Sequence, residues 1–356
     1  MLKKLVGGYM PAFKDKSGNK VSGAISKMEK LTLGGINQWI TISGRSDDLP
    51  ILLFLHGGPG SPQTGAQRKF NKELEDYYLV VNWDQRGAGK SFSQAIAPES
   101  MNMNQLLNDA HELVRYLLKR YNKNKIFLMG HSFGAALGLM FVHKYPELLY
   151  AYVGINQPIH RTKEEKRSYQ YALEAAEKKK NSKAIKELKS IGFPINGVYR
   201  KIEDMVIQRK WLTKFNGVTF EKNALFVNMN YMLSPHFTLI EKLTFMKRFG
   251  FSSTHLWDEF ISLNFFNVVP TLNVPVFLLA GEHDRIVFAD LIEQYYEFVK
   301  AADKHFILLT KSGHLACFEE EEKFNEIMIK QVLPYYEQAQ EKGEKTSIDK
   351  HQYNKG

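Results

Sequence analysis

A strand, a sharp turn and a helix are written into residues 125–138. Lys125-Ile126-Phe127-Leu128-Met129 is an apolar run of strand length, Gly130-His131-Ser132-Phe133-Gly134 follows it, and the small residues Ala135, Ala136 and Gly138 lead into a helix. The G-x-S-x-G spacing puts a serine on a strained strand-to-helix turn, with glycines where the tight backbone leaves no room for a Cβ. Such a turn points the Ser132 hydroxyl outward at the end of a strand. It commits the chain to an α/β architecture and makes Ser132 a candidate nucleophile.

A serine hydroxyl is a poor nucleophile at neutral pH and needs a base, which in turn needs an orienting acid. On this kind of turn the partners follow in the order serine, acid, histidine. Val274-Pro275-Val276-Phe277-Leu278-Leu279-Ala280 has a buried-strand pattern and ends in Gly281-Glu282-His283-Asp284. His305-Phe306-Ile307-Leu308-Leu309-Thr310 is a further strand, followed by Lys311-Ser312-Gly313-His314. Asp284 and His314 therefore fall just beyond strand ends, in the required order. Upstream, Pro50-Ile51-Leu52-Leu53-Phe54-Leu55 runs into His56-Gly57-Gly58-Pro59-Gly60. A tetrahedral intermediate needs donors aimed at its oxyanion. The backbone N–H of Phe133 is one candidate. The second comes from the glycine loop, from Gly58 in preference to Gly57. Pro59 cannot donate but can stiffen the loop, and the Gly58–Pro59 bond is one that tolerates the cis form.

These residues, with Asp84-Gln85-Arg86-Gly87 after Val80-Val81-Asn82-Trp83, resemble the α/β-hydrolases of the proline iminopeptidase type. The likeness runs from about residue 25 to residue 335. It implies a mostly parallel central sheet with helices on both faces and an inserted helical cap. It also implies Ser132, Asp284 and His314 as a catalytic triad, and Gly58 with Phe133 as the oxyanion hole. His56, Gly57 and Pro59 would support that loop, and Asp84 with Arg86 would brace it. Two positions depart from the family. Phe133 stands where tryptophan usually follows the nucleophile. The family's cap tryptophan–glutamate pair, which holds the free amino terminus of the substrate, has no clear counterpart. Trp211 is followed by Leu212, and Trp257 by Asp258.

Organisation along the chain supports the same architecture. Residues 27–33 and 36–42 read as a hairpin about Gly34-Gly35. Apolar strands are expected at 51–55, 78–83, 125–129, 150–155, 275–280 and 305–310, and runs of this kind suit a sheet covered on both faces. Gln105 to Tyr121 places Leu106, Leu107, Ala110, Leu113, Val114, Leu117 and Leu118 on one helical stripe. The rhythm breaks between Gln157 and Pro270. Helices are expected there at 163–180, 182–190, 202–215, 239–249 and 257–265, forming a cap over the strand ends. The expected division is thus a core in two parts, 1–156 and 271–337, a cap at 157–270 and a polar tail at 338–356. Aromatic residues of the cap, among them Trp211, Phe215, Tyr231, Phe245, Phe249 and Trp257, are expected to form its core and to wall an apolar pocket. Asn156-Gln157 puts no acid after the strand at 150–155, which favours Asp284.

Composition limits the remaining possibilities. The 356 residues suffice for one α/β domain with an insertion. The formal charge is +10, and residues 159–270 hold nineteen Lys and Arg against eleven Asp and Glu. Acids are interspersed with these bases, as on solvated helix faces, and no nucleic-acid module accompanies them. Cys317 is the one cysteine, so no internal disulfide can form; it is expected to be a buried apolar filler. No cofactor and no metal is expected. The apolar core of Met1–Gly8 is too short for a secretory leader, and no apolar run approaches a membrane span. A soluble, cytoplasmic protein is expected, with no stable membrane insertion.

Three functional readings follow. A serine aminopeptidase on short peptides needs a cap carboxylate for the substrate ammonium, with Glu164, Glu165, Glu203, Asp204, Asp258 and Glu259 as candidates. An esterase or amidase on a small-molecule substrate needs none. A non-catalytic ligand receptor would have no use for the nucleophile, base and acid.

Overall fold

A computed structural model describes residues 8–15, 17–221 and 233–341. The strands among the described residues are β1 (Ile25–Leu33), β2 (Ile36–Gly44), β3 (Ile51–Leu55), β4 (Leu79–Asp84), β5 (Ile126–His131), β6 (Leu149–Ile155), β7 (Thr271–Leu272), β8 (Val276–Gly281), β9 (Lys300–Ala301) and β10 (Lys304–Leu309). Eight of them form one sheet in the order β1-β2-β4-β3-β5-β6-β8-β10, and β7 pairs with β9 apart from it. β1 and β2 pair antiparallel, as do β2 and β4; the remaining neighbours in the large sheet are parallel. The hairpin turns at Gly34 and Gly35, whose φ angles of 52° and 79° match the left-handed pair that a two-residue turn requires.

The apolar strands are buried on both faces because alternate side chains point to opposite sides. Leu53 and Leu55 join Val81, Leu128 and the helices Met103–Arg120 and Phe133–Lys144 on one face. Leu52 and Phe54 join Phe127, Met129, Phe318 and Phe324 on the other. The helix Met103–Arg120 begins where the Asn102 side chain accepts the Gln105 N–H at 2.8 Å. It buries all seven apolar residues of its stripe, from Leu106 to Leu118.

β3 lies between β4 and β5, so the sequence order reverses across it. In an open parallel sheet, the loops leaving the carboxyl ends on either side of such a point enclose a crevice. The glycine loop leaves β3 and the Ser132 turn leaves β5. Asp284 follows β8 and His314 follows β10, at the same edge.

Between β6 and β7 run the helices Arg161–Lys178, Ser182–Ile191, Ile202–Lys214, Leu239–Leu243, Phe245–Ser262 and Phe265–Val268. The first three build a core of their own from Tyr169, Ala172, Leu188, Met205, Trp211, Leu212 and Phe215. The later helices differ from expectation. The helices expected at 239–249 and 257–265 are replaced by a short helix capped by Thr238 and a long one that runs through Gly250. A Cβ at Gly250 would meet nothing within 4 Å, so the glycine there is not a break forced by packing. Residues 338–341, expected in the tail, are helical. Tyr231 and residues 342–356 lie outside the described residues. No helix among the described residues is long and apolar enough to cross a membrane.

Candidate active site

Ser132 sits at the turn with φ 52° and ψ −119°, a left-handed conformation that ordinary residues adopt only under constraint. Its N–H is held by Ile155 O at 3.0 Å, and its carbonyl accepts from Ala135 and Ala136. Gly134 permits the turn to seat against β3, since a Cβ there would lie 2.0 Å from the carbonyl oxygen of Leu55. The Ser132 hydroxyl lies 3.0 Å from His314 Nε2, and His314 Nδ1 lies 2.7 Å from Asp284 Oδ2. Asp284 is fully buried, and its second oxygen accepts the N–H groups of Ile286 at 2.7 Å and Val287 at 3.0 Å. The carboxylate accepts the Nδ1 proton of His314, which leaves the Nε2 lone pair facing the hydroxyl.

The loop carrying His314 is fixed from three sides. His314 N donates to Val218 O of the cap segment at 2.6 Å. Glu319 accepts from Gly313 N, Leu315 N and Phe220 N, and burial raises its carboxyl above the usual range. Asn156, the residue standing where an acid was absent, donates to Gly313 O at 2.8 Å and accepts from Gly281 N at 2.9 Å. It thereby ties the loops of Asp284 and His314 to β6.

The Gly58–Pro59 bond is cis and Gly58 has φ 123°. Gly57 N donates to Gln63 Oε1 at 3.2 Å, so this N–H is already engaged. Among the described residues no acceptor takes the N–H of Gly58 or of Phe133. Gln63 also donates to His131 Nδ1 at 2.9 Å, while His131 Nε2 donates to the carbonyl of His314 at 2.6 Å. His56 accepts from Gln85 N at Nε2 and donates from Nδ1 to Gly57 O. Each ring thus has one donor and one acceptor nitrogen. Burial keeps both neutral, lowering His56 to about 4 and His131 to about 3.

Arg86 does not brace the glycine loop. Its guanidinium forms two bonds with Asp109, at 2.7 and 3.1 Å, and a third with Gly34 O at 2.7 Å, so it ties the hairpin to the helix Met103–Arg120. Asp84 accepts Lys90 N at 2.8 Å and holds the loop after β4 instead. The bracing falls to Gln85, which bonds both the ring and the carbonyl of His56. Asp109 was beyond sequence reasoning because a lone acid on a helix reads as solvated, whereas here it is fully buried among the apolar residues of the stripe.

Above Ser132 lies a cavity of about 440 Å³. His131, Ser132, His314, Gly57 and Gly58 line its floor; Met205, Phe245, Phe249, Trp257, Phe260 and Ile286 supply apolar wall. Among the described residues, the charged side chains that line it are Arg161 and Arg209. None of the six candidate cap acids does. Glu164 accepts from Ile159 N, His160 N and Arg161, and Glu165 binds both arginines. Asp204 is buried beside Arg200, Glu259 accepts Met103 N, and Glu203 and Asp258 are exposed. Trp211 donates to Glu187 within the cap, whereas Trp257 reaches the cavity. Cys317 is buried, and burial raises its thiol pKa. Sequence reasoning missed His131, Gln63, Arg161 and Arg209. His131 stood in plain view inside the serine turn, while nothing local marked the other three.

Residues 50–321 match the family model described as alpha/beta hydrolase fold. The chain belongs to the α/β-hydrolase family. Within it, this α/β-hydrolase is proline iminopeptidase-like. It is 35% identical over 303 residues to a probable aminopeptidase, YbaC, of Bacillus subtilis (strain 168), spanning 85% of this chain and 94% of the relative. It is 23% identical over 295 residues to a proline iminopeptidase of Saccharolobus solfataricus, spanning 78% and 83% of the two chains. Among solved structures, a proline iminopeptidase-related protein from Thermus thermophilus superposes with a TM-score of 0.59 at 17% identity, covering 87% of this chain and 99% of that one. This α/β-hydrolase is therefore an enzyme of hydrolytic type.

Proposed function

We propose that this hydrolase works through an acyl-enzyme on Ser132 and removes the N-terminal residue of short peptides in the cytoplasm. The observation that carries the mechanism is the hydrogen-bond chain from Ser132 through His314 to Asp284, at 3.0 and 2.7 Å. His314 Nε2 takes the hydroxyl proton as Oγ attacks the carbonyl, then delivers it to the leaving amine. Water repeats the sequence to release the acid and restore the serine. Asp284 holds the ring in the required tautomer and offsets the charge of the imidazolium. The free N–H groups of Gly58 and Phe133 receive the oxyanion, a role that Gly57 cannot share while it donates to Gln63. Residues 157–270 act as the cap that keeps bulk water from the acyl-enzyme.

The peptidase reading is supported by the names of the relatives. A second reading, an esterase or amidase, is favoured by one observation: the described cavity lining includes two arginines and no carboxylate to meet a substrate ammonium. Assays of aminoacyl arylamides, their N-blocked forms and short-chain aryl esters separate the two. Cleavage that needs a free amino group supports the first, and ester turnover without arylamide cleavage supports the second. Ser132→Ala is expected to lower turnover by roughly 10⁴-fold or more while leaving the fold intact. A variant that keeps wild-type turnover would overturn the mechanism.

A further inference from the structure

We propose that Arg161 and Arg209 recognise a carboxylate on the substrate, so that the preferred substrates are amides or esters bearing a carboxylate group. The inference rests on the Ser132 reading for its chemistry but makes a claim about binding that can be tested without turnover.

Arg161 opens the first cap helix and Arg209 lies on the helix Ile202–Lys214; both line the cavity that holds Ser132 and His314. Each is held from behind. Arg161 Nη1 donates to Glu164 at 2.5 Å and its Nη2 to Glu165 at 3.1 Å; Arg209 Nη2 donates to the same Glu165 oxygen at 2.6 Å. Glu164 is anchored in turn by two backbone N–H groups, so it cannot swing forward. Both glutamates are fully buried and do not line the cavity. The charges are therefore layered, with cations at the wall and anions behind them, and the positive side faces the ligand.

Such a wall suits an anion for three reasons. Fixing a guanidinium before binding lowers the ordering cost of the complex. The bonds to Glu164 and Glu165, with those from Arg209 Nη1 to Gln208 Oε1 and Ser168 Oγ, still use only part of the five donors on each guanidinium. Arg209 is the more accessible of the two, its side chain 20% exposed against 1% for Arg161, so a ligand in the cavity can reach its donors. The Arg161 guanidinium lies 4.7 Å from the centre of the Phe260 ring, which packs edge-on against Phe133, the residue after Ser132. A planar carboxylate matches the edge of a guanidinium through paired bonds. An ammonium at the same wall would meet two cations. In a dipeptide the carboxylate lies on the leaving side of the scissile bond; in the half-ester of a dicarboxylic acid it lies on the acyl side.

The test is calorimetry on Ser132→Ala protein, which binds without turning over. Alanyl-alanine is compared with alanyl-alaninamide for the leaving side, and monomethyl glutarate with methyl glutaramate for the acyl side. At least one carboxylate member is expected to bind about tenfold or more tightly than its amide, with the advantage falling below about threefold in Arg209→Gln and partly kept in Arg209→Lys. Arg209 is chosen because Glu165 keeps Arg161 as a partner when Arg209 is replaced. Equal binding within both pairs overturns the proposal, and so does a preference that Arg209→Gln leaves unchanged in folded protein. Labelling of wild-type Ser132 by a fluorophosphonate reads the chemistry separately. Labelled protein without carboxylate preference sinks this inference alone; preference without labelling sinks the acyl-enzyme and leaves the recognition standing.

Discussion

Asp284 divides two tasks between its two oxygens. Oδ2 accepts the hydrogen bond from His314 Nδ1 at 2.7 Å, and Oδ1 accepts from the N–H groups of Ile286 and Val287 that close the turn after β8. Asn at this position keeps the second task, because its amide oxygen can still accept both N–H groups. It damages the first, because an amide NH₂ facing Nδ1 favours the tautomer with the proton on Nε2, where it can no longer accept from serine. Asp284→Asn is thus expected to lower kcat by roughly 10³–10⁴-fold with KM and melting temperature little changed. Steady-state kinetics beside a thermal melt reads this, and a large drop in melting temperature would show that the turn depended on the charge. Single residues were legible in the sequence where a strand end named them, as with Ser132, Asp284 and His314. Arg86 was misread because its partner, Asp109, is 23 positions away on a helix and nothing in the D-Q-R-G run points to it. Arg161 and Arg209 escaped for a related reason: the side of a helix that faces a cavity is set by tertiary packing, and a run of bases reads first as solvated surface.

The elements that hold these residues depend on close backbone approach. The helix Phe133–Lys144 lies so near β3 that a Cβ on Gly134 would come within 2.0 Å of Leu55 O and 2.6 Å of His56 O. Both obstacles are backbone atoms of the strand and loop that position the glycine loop, so neither can swing aside. Gly134→Ala must push the helix away from the sheet, and an expected loss of about 2–4 kcal/mol or more follows. Gly138→Ala, on the same helix, would place its Cβ 2.7 Å from the ring edge of Tyr152, a single side-chain contact rather than the backbone of a strand. Urea unfolding of the two variants should rank Gly134→Ala well below Gly138→Ala; equal losses would mean that the helix seat is softer than the contacts imply. The strands of the sheet were legible because burial on both faces leaves continuous apolar runs. The late cap helices were read less well: the first starts at the local capping box of Thr238 and Glu241 and buries no residue, and Gly250 does not interrupt the second.

Across the whole molecule, buried titratable groups set two opposing responses to pH. His236 is part of the segment that leads into the later cap helices, yet it is buried against Arg68 of the core, with its Nδ1 2.5 Å from Ser234 Oγ. Burial, followed by the charges of Arg68, Lys90 and Lys242, lowers it to about 3. A histidine of this kind is neutral in the fold and protonated in the unfolded chain below about pH 6.5. Its contribution to stability is present above that pH and is lost as the pH falls toward 4. Asp84 acts in the other direction. Burial raises it to about 7, so the fold favours its protonated form and stability from this group falls as the pH rises from about 4 to 7. His236→Asn, which retains a polar atom near the position of Nδ1, removes one of these titrations. Its stability is expected to fall less steeply than wild type on acidification from pH 6.5 to 4, by about 1.4 kcal/mol per pH unit. Asp84→Asn should shift the same curve with the opposite sign. Urea unfolding of the three proteins across that range measures both slopes. Parallel curves would mean that the buried histidine and carboxyl titrate alike in the folded and unfolded chains, contrary to the environments in which the fold places them.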